Sequence, residues 1–289
     1  MRSLKKSQHI SRKSELNMDE IKEIENKARE GRKLIVEMTA KANSGHPGPS
    51  LSVIDIMATL YSKYLRVDPH DPHWLTRDRF VLSKGHAAPA LYAMLILHNF
   101  IEKEQITGFR KINGNLQGHP SVKTPGIDCT SGSLGVGLSI ACGMALAAKI
   151  KKAVSNVYCL IGDGESDEGQ IWEAALFAAQ FKLDNLYVFL DRNLHQYEGK
   201  TEEVFKLEPV TDKWKAFGWD VWNMDGNSVS ELITAIDDAQ RKTGKPKMLI
   251  AHTVKGKGVS FMEGNQAYHA KAPSVEEAVA AIQELSRVD

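Results

Sequence analysis

The apolar run Val157-Tyr158-Cys159-Leu160-Ile161 stops at Gly162-Asp163-Gly164, and a second run, Leu186 to Leu190, leads into Asp191-Arg192-Asn193. A buried strand that ends in an acid between two glycines puts a carboxylate at the strand's C-terminal edge, where open α/β sheets bind ligands. The glycines let a bulky anion approach the backbone. Asp163 and Asn193 lie 30 residues apart, about the length of one βαβ unit, and right-handed crossovers set successive parallel strands side by side. Two oxygen ligands from two strand ends can therefore converge. One carboxylate and one amide carbonyl suit a hard cation, Mg2+ or Ca2+, with positions left for water and phosphate oxygens. No thiolate or imidazole stands nearby in a zinc pattern. Taken alone, Gly162-Asp163-Gly164 reads equally well as an ordinary turn, and Asn193 as an ordinary loop asparagine.

Histidines supply a second line of chemistry. His46, His86, His119 and His269 each stand beside glycine, proline or alanine in segments without regular periodicity, where loop residues are positioned for ligands. Singly, a loop histidine often only hydrogen-bonds the backbone. As a set, imidazoles can donate to hydroxyl, ketone and phosphate oxygens and move protons near neutral pH, which a sugar substrate requires.

The elements that must position these residues alternate between helix and strand. Asp19 to Lys41 has helical spacing in Ile21, Ile24, Ala28 and Ile35; Leu51 to Tyr64, Ala88 to His98 and Gly135 to Ile150 read as further helices. The last of these carries small residues on several faces, the mark of close packing. The alanine-rich segment from Glu168 to Ala179 predicts a helix against the sheet, its N-terminus toward the anion. Strands are expected at Val157 to Ile161, Leu186 to Leu190, Asp220 to Asn223 and Met248 to His252. The pattern is that of a doubly wound α/β fold, a mostly parallel sheet flanked by helices. On the first helix, Glu23 with Lys27 and Glu25 with Arg29 read as weak i to i+4 pairs on a solvated face.

Composition bounds the function. A chain of 289 residues with 42% hydrophobic residues can bury a substantial core, and residues 19–289 are expected to form one domain. A formal net charge of +1 gives no global field to attract nucleic acid or a membrane. Cys129, Cys142 and Cys159 suit reduced thiols in a cytoplasm better than a disulfide frame. No run of about 18 apolar residues suggests a membrane span. Arg2, Lys5, Lys6, Arg12 and Lys13 mark residues 1–18 as a disordered basic tail, and no apolar stretch follows to make a secretory leader. Gly135-Val136-Gly137 follows no clear strand and has the wrong spacing for a dinucleotide fingerprint, so a nicotinamide dehydrogenase is not expected.

The stretch from Gly162 to Asn193 resembles the thiamine diphosphate signature. Ser44-Gly45-His46-Pro47-Gly48, Arg77 to His86, Gly118-His119-Pro120 and Thr130 to Gly135 resemble the successive signatures of transketolase, in the family's order, and Tyr268 to Pro273 resembles its closing histidine motif. The resemblance runs from about Ile21 to Pro273. It implies that Asp163, Asn193 and the backbone carbonyl of His195 hold Mg2+, with Ca2+ or Mn2+ as substitutes, on the diphosphate of thiamine diphosphate beside Gly162 and Gly164. It places His86 and His269 at the diphosphate or the reacting carbons, His119 at a donor hydroxyl and His46 at the sugar. The backbone of Gly132-Ser133-Leu134 would face the aminopyrimidine, although Ser133 stands where the family often has proline. Glu168 and Glu173, by themselves ordinary helix-start acids, would join an interface network between two active sites. Glu165, where the family often has a small or sulfur-bearing residue, receives no role.

By the same resemblance the cofactor is activated by a glutamate on a pyrimidine-binding domain. That domain is not recognised in these residues, nor are the groups that hold the substrate phosphate. The expectation is the N-terminal subunit of a split transketolase. It would pass a two-carbon ketol unit from a ketose phosphate to an aldose phosphate in cytoplasmic pentose phosphate metabolism, together with a separate C-terminal subunit in an α2β2 assembly. The alternatives are a transketolase-like enzyme for a sulfonated or branched sugar and a non-catalytic regulatory subunit that keeps the fold. A deoxyxylulose phosphate synthase fits less well, because Gly45-His46-Pro47-Gly48 differs from that family's related motif.

Overall fold

The computed structural model describes residues 17–287. A five-stranded, wholly parallel sheet runs through it, built from β1 (Arg79–Leu82), β2 (Val157–Gly162), β3 (Leu186–Arg192), β4 (Asp220–Asp225) and β5 (Lys247–His252), in the order β1-β2-β3-β5-β4. Side chains alternate across a strand. Tyr158, Leu160, Phe189 and Leu249 therefore enter a core on one face, and Val157, Cys159, Val188 and Ile250 a core on the other.

The first face is covered by α1 (Met18–Ala42), α2 (Pro47–Thr59), α3 (Ala88–Leu97), α8 (Val229–Gln240) and α9 (Val275–Leu285). The second carries α4 (Val136–Ile150), α5 (Gly169–Gln180) and α7 (Val210–Ala216), while α6 (Thr201–Val204) is a single short turn. Burial on both faces explains why β2 and β3 read as unbroken apolar runs. On α4 the small residues Gly137, Ala141 and Ala145 are buried. A Cβ at Gly137 would lie 2.5 Å from Ser83 Oγ, so this helix start rests directly on the end of β1.

Several expectations shift in detail. The basic tail, residues 1–16, lies outside the described residues; Asn17 and Met18, counted with it, are the N-cap and first residue of α1, and the Asn17 side chain accepts from the Asp19 amide at 3.1 Å. The helix expected from Leu51 begins at Pro47, since proline is well placed in a first turn, and its last stretch, Leu60–Tyr64, widens into a π-turn. Strand β1 was not foreseen. Between Asp163 and α5 a 3-10 turn, Gly164–Asp167, intervenes. Among the described residues the ion pairs formed within α1 are Glu30 with Lys33 and Glu37 with Lys41, not those expected at Glu23 and Glu25, while Glu20 reaches Lys63, Arg32 reaches Asp55 and Glu37 also meets Lys103. Among the described residues no helix is long and apolar enough to cross a membrane.

Candidate active site

Because all five strands run the same way, the segments after β1, β2, β3 and β5 emerge on one edge of the sheet. There they enclose a cleft of about 480 Å³ lined by His46, His86, His119, Gly132, Leu134, Gly162 to Glu165, Glu168, Asn193, His195, Lys255 and His269. Four of the sequence-selected histidines, both oxygen-ligand candidates and residues of the glycine turns thus share one cavity. Ser133 is exposed beside the cleft, and Glu173 is exposed on α5, outside the lining.

Asp163 caps the 3-10 turn. Its Oδ1 accepts from the Gly164 amide at 2.8 Å, and its Oδ2 accepts from the Leu194 amide at 2.7 Å and from Arg192 at 3.3 Å. Burial, followed by the neighbouring Asp191 carboxylate, pushes its pKa up to about 7. Asn193 donates to Asp191 Oδ2 at 2.7 Å, which orients the amide and turns its oxygen toward the His195 amide at 3.0 Å. Asp191 is itself fully buried and held by Ser52 at 2.8 Å, by Thr253 and by the ammonium of Lys84. Asp163 Oδ1 and the Asn193 amide oxygen each use one of two lone pairs here. Asp163 and Asn193 therefore retain acceptor capacity, and among the described residues no donor hydrogen-bonds the His195 carbonyl.

The two glycines of the turn differ. A Cβ at Gly162 would meet nothing nearer than Glu165 Cβ at 3.7 Å, which leaves the backbone approachable; at Gly164 it would collide with Gln196 Cβ at 2.5 Å. Gly164 is therefore required by the packing of the loop after β3, as well as suiting close approach of a ligand.

The rings of His46, His86 and His269 lie 5.4 to 5.8 Å apart, centroid to centroid. They meet because the start of α2 packs on the 3-10 turn Gln266–His269: a Cβ at Gly48 would sit 2.7 Å from the Tyr268 carbonyl oxygen. His119 is more exposed, and its loop is held by the Tyr92 hydroxyl donating to the carbonyls of Gln117 at 2.8 Å and His119 at 3.1 Å. Burial, and next the Arg110 guanidinium, lowers His46 to about 4; burial, and next the Lys255 ammonium, lowers His269 to about 3. His86 is driven well below its usual value by burial and by Lys84, and His119 is lowered by burial and by Arg110. The cluster is neutral at pH 7, so its rings can each offer one donor and one acceptor.

A direct consequence is that the ring Cε1–H NMR signals of His46 and His269 should stay unchanged between pH 8 and pH 5. A midpoint near 6.5 for either would contradict this geometry. The folded-state values lie below the unfolded value of 6.5, so the unfolded chain takes up these protons first. The stability linked to the neutral rings is present above pH 6.5 and is lost as the pH falls toward 4 and then 3.

Sequence reasoning passed over Lys255. Its side chain is buried at 1% exposure, with Nζ 2.9 Å from His269 Nδ1 and 3.1 Å from Gln266 Oε1, and burial beside Lys84 lowers it to about 8. A lysine close to glycines normally reads as solvated, and the only signal was its position just after β5. Gln266 was missed as well; its amide donates to the Tyr197 carbonyl at 2.7 Å and also to that of Gln196, tying the loop after β3 to the His269 turn. Two buried polar atoms of the lining, His46 Nδ1 and Gln196 Oε1, have no hydrogen-bond partner among the described residues. A buried cation, oxygen donors on two strand ends and unsatisfied polar atoms form a chemical surface suited to a polar, anionic ligand with a hard cation.

A parallel sheet with its ligand cleft at the C-terminal edge places the protein in the class of doubly wound α/β folds that bind cofactors there. Residues 24–287 match the family described as "Transketolase, thiamine diphosphate binding domain". The chain therefore belongs to the transketolase family, as a thiamine diphosphate-dependent subunit of transketolase type, a transferase of ketol groups. It is 47% identical to the 6-deoxy-6-sulfo-D-fructose transketolase subunit SqwG of Clostridium sp. (strain MSTE9), over 89% of this chain and 94% of that protein. It is 43% identical to an apulose-4-phosphate transketolase subunit of Phocaeicola vulgatus, over 92% of this chain and 95% of that protein. Among solved structures, the transketolase from Leishmania mexicana superposes with a TM-score of 0.86 at 31% identity, over 91% of this chain and 41% of that one.

Proposed function

We propose that the cleft holds the diphosphate and divalent cation of thiamine diphosphate. In this reading the chain is the diphosphate-binding subunit of a transketolase that moves a two-carbon ketol unit from a ketose phosphate to an aldose phosphate. The observation that carries it is the convergence of Asp163, Asn193, the buried Lys255 ammonium and three neutral histidines in one cavity.

Asp163, Asn193 and the His195 carbonyl would take Mg2+, with Ca2+ or Mn2+ as substitutes; a hard cation with oxygen donors keeps room for water and phosphate oxygens. Gly162 and Gly164, lacking side chains, let the diphosphate approach closely, and Lys255 balances its charge. Gly132, Ser133 and Leu134 provide the opposite wall, against the organic part of the cofactor. When bound, the cofactor supplies the electron sink for carbon–carbon bond cleavage. The chain's own work is to orient the sugar and move protons: His46 and His119 hydrogen-bond its hydroxyls, and His86 and His269 serve the reacting end, where neutral imidazoles can donate and accept.

A separate polypeptide carrying the pyrimidine domain and its activating glutamate completes the site, with Glu168, the N-cap of α5, and Glu173, exposed on α5, at the contact, in an α2β2 assembly. The names of the two relatives, each a transketolase subunit, support this partnership. Three buried free thiols, Cys129, Cys142 and Cys159, favour a cytoplasmic setting.

A second reading concerns only the sugar: the two relatives are named for a sulfonated sugar and for apulose-4-phosphate. A donor panel of ordinary ketose phosphates, 6-deoxy-6-sulfo-D-fructose and apulose-4-phosphate, given to this chain combined with its partner subunit, decides between the two. Highest kcat/KM on a ketose phosphate of the ordinary pentose series supports the first reading. Preference for either other sugar by tenfold or more overturns it in favour of the second.

A further inference from the structure

Glu165 is 3% exposed, and every polar neighbour it hydrogen-bonds is a donor. Its Oε1 accepts from Ser83 Oγ at 2.5 Å and from the Gly135 amide at 2.8 Å; its Oε2 accepts from the Gly162 amide at 2.9 Å. These donors come from three chain segments: the end of β1, the N-cap of α4 and the end of β2. One carboxylate therefore joins the two walls of the cleft, the Gly132–Leu134 turn that leads into Gly135 and the Gly162–Gly164 turn.

We propose that Glu165 is the positioning residue that sets the distance between these walls, and thereby the fit of the cofactor. The second half of this inference rests on the cofactor reading above; the first does not.

The chemistry of the contact favours a carboxylate over its amide isostere. Three donors converge on two oxygens, so a glutamine at this position must aim its own NH2 at one of the two glycine amides and leave that pair unsatisfied. Little else can absorb the loss. Gly135 stands at φ 83°, a conformation reserved almost entirely for glycine, and Gly137 is already pressed on Ser83. The positive end of α4 also favours an anion here. Glu165 touches neither Asp163 nor Asn193 by a hydrogen bond among the described residues, so its effect on the ligand passes through the backbone it holds.

The test is hydrogen–deuterium exchange on the full chain without cofactor, comparing the wild type with Glu165→Gln. Exchange in peptides containing Gly135 and Gly162 should accelerate about tenfold or more, with β3 and β5 unchanged, and calorimetry with Mg2+ should show thiamine diphosphate binding weakened about tenfold. Unchanged exchange at both glycines, or an increase spread evenly over the sheet, overturns the assignment. If Glu165→Gln does not fold, Glu165→Asp carries the test, because the shorter carboxylate cannot reach Gly135 and Gly162 together and must speed exchange at one of them; no change at either overturns the assignment equally. If the wild type itself binds no thiamine diphosphate, the cofactor reading fails, while the exchange data still decide whether Glu165 holds the walls.

Discussion

Given Mg2+, thiamine diphosphate, a ketose phosphate and an aldose phosphate, this chain by itself should transfer ketol units at least ~10³-fold more slowly than the same chain combined with its partner subunit, since a positioned proton-transfer group alone contributes about 10²–10⁴. The reason lies in the acids of the cleft. The buried pair, Asp163 and Glu165, are committed: Asp163 to Gly164, Leu194 and Arg192, and Glu165 to Ser83, Gly135 and Gly162. Asp167 is half-buried, and Glu168 and Glu198 are exposed at the rim. A group that activates the cofactor's ring must reach it from the open side of the cleft, and the proposed partner supplies that group. Product analysis of the chain, the partner and the mixture checks this; turnover by the chain alone within tenfold of the mixture would remove the split-site reading.

Asp163→Asn should abolish metal-supported cofactor binding, a loss on the order of 10²-fold or more, given that even residues outside the ligand set cost 10–100-fold at metal sites. In the unliganded protein the same substitution has two opposing effects. Asp163 is buried, and its carboxyl is pushed up to about 7, first by burial and then by Asp191, so a neutral amide relieves an unfavourable burial of charge, but its NH2 must face either the Gly164 amide or the Leu194 amide and Arg192 and leaves that side unsatisfied. Arg192 keeps Glu202 at 2.7 Å and Glu208 at 3.0 Å as ion-pair partners. Thermal melts separate binding from stability. Wild type gains several degrees with Mg2+ and thiamine diphosphate, as ligand binding to the native state requires, and the variant gains none relative to its own unliganded melt. An equal gain in both would clear Asp163 of the role.

These outcomes depend on features of differing visibility in the sequence. Strands β2 and β3 were plain because burial on both sheet faces leaves unbroken apolar runs, each ending in a small or acidic residue at the binding edge. Strand β1 was hidden: only Arg79–Leu82 is strand, and it follows Arg77 and Asp78, whose charges are satisfied by tertiary partners, Arg77 by Asp128 and Asp78 by Arg66. The histidines could be found because glycine and proline around them mark loops. Their neutrality could not, since it comes from burial against Lys84, Lys255 and Arg110, which folding brings close.

Lys255 and Glu165 show the same limit from opposite signs. A lysine in a glycine-rich loop and a glutamate in a helix-start turn both look solvated until segments far along the chain close over them. For Glu165 those segments are Ser83 and Gly135, 82 and 30 residues away. Local pattern locates an edge of the sheet where ligands bind; which charges are driven into that edge is settled by packing.

The most direct test of the account is calorimetry on the wild-type chain, alone and with its partner subunit, titrating thiamine diphosphate and unphosphorylated thiamine with and without Mg2+. Thiamine diphosphate should give a heat of binding that requires Mg2+, and thiamine none on the chain alone, because this cleft grips the phosphate end. Binding of thiamine as tight as that of the diphosphate, or diphosphate binding indifferent to Mg2+, would contradict it.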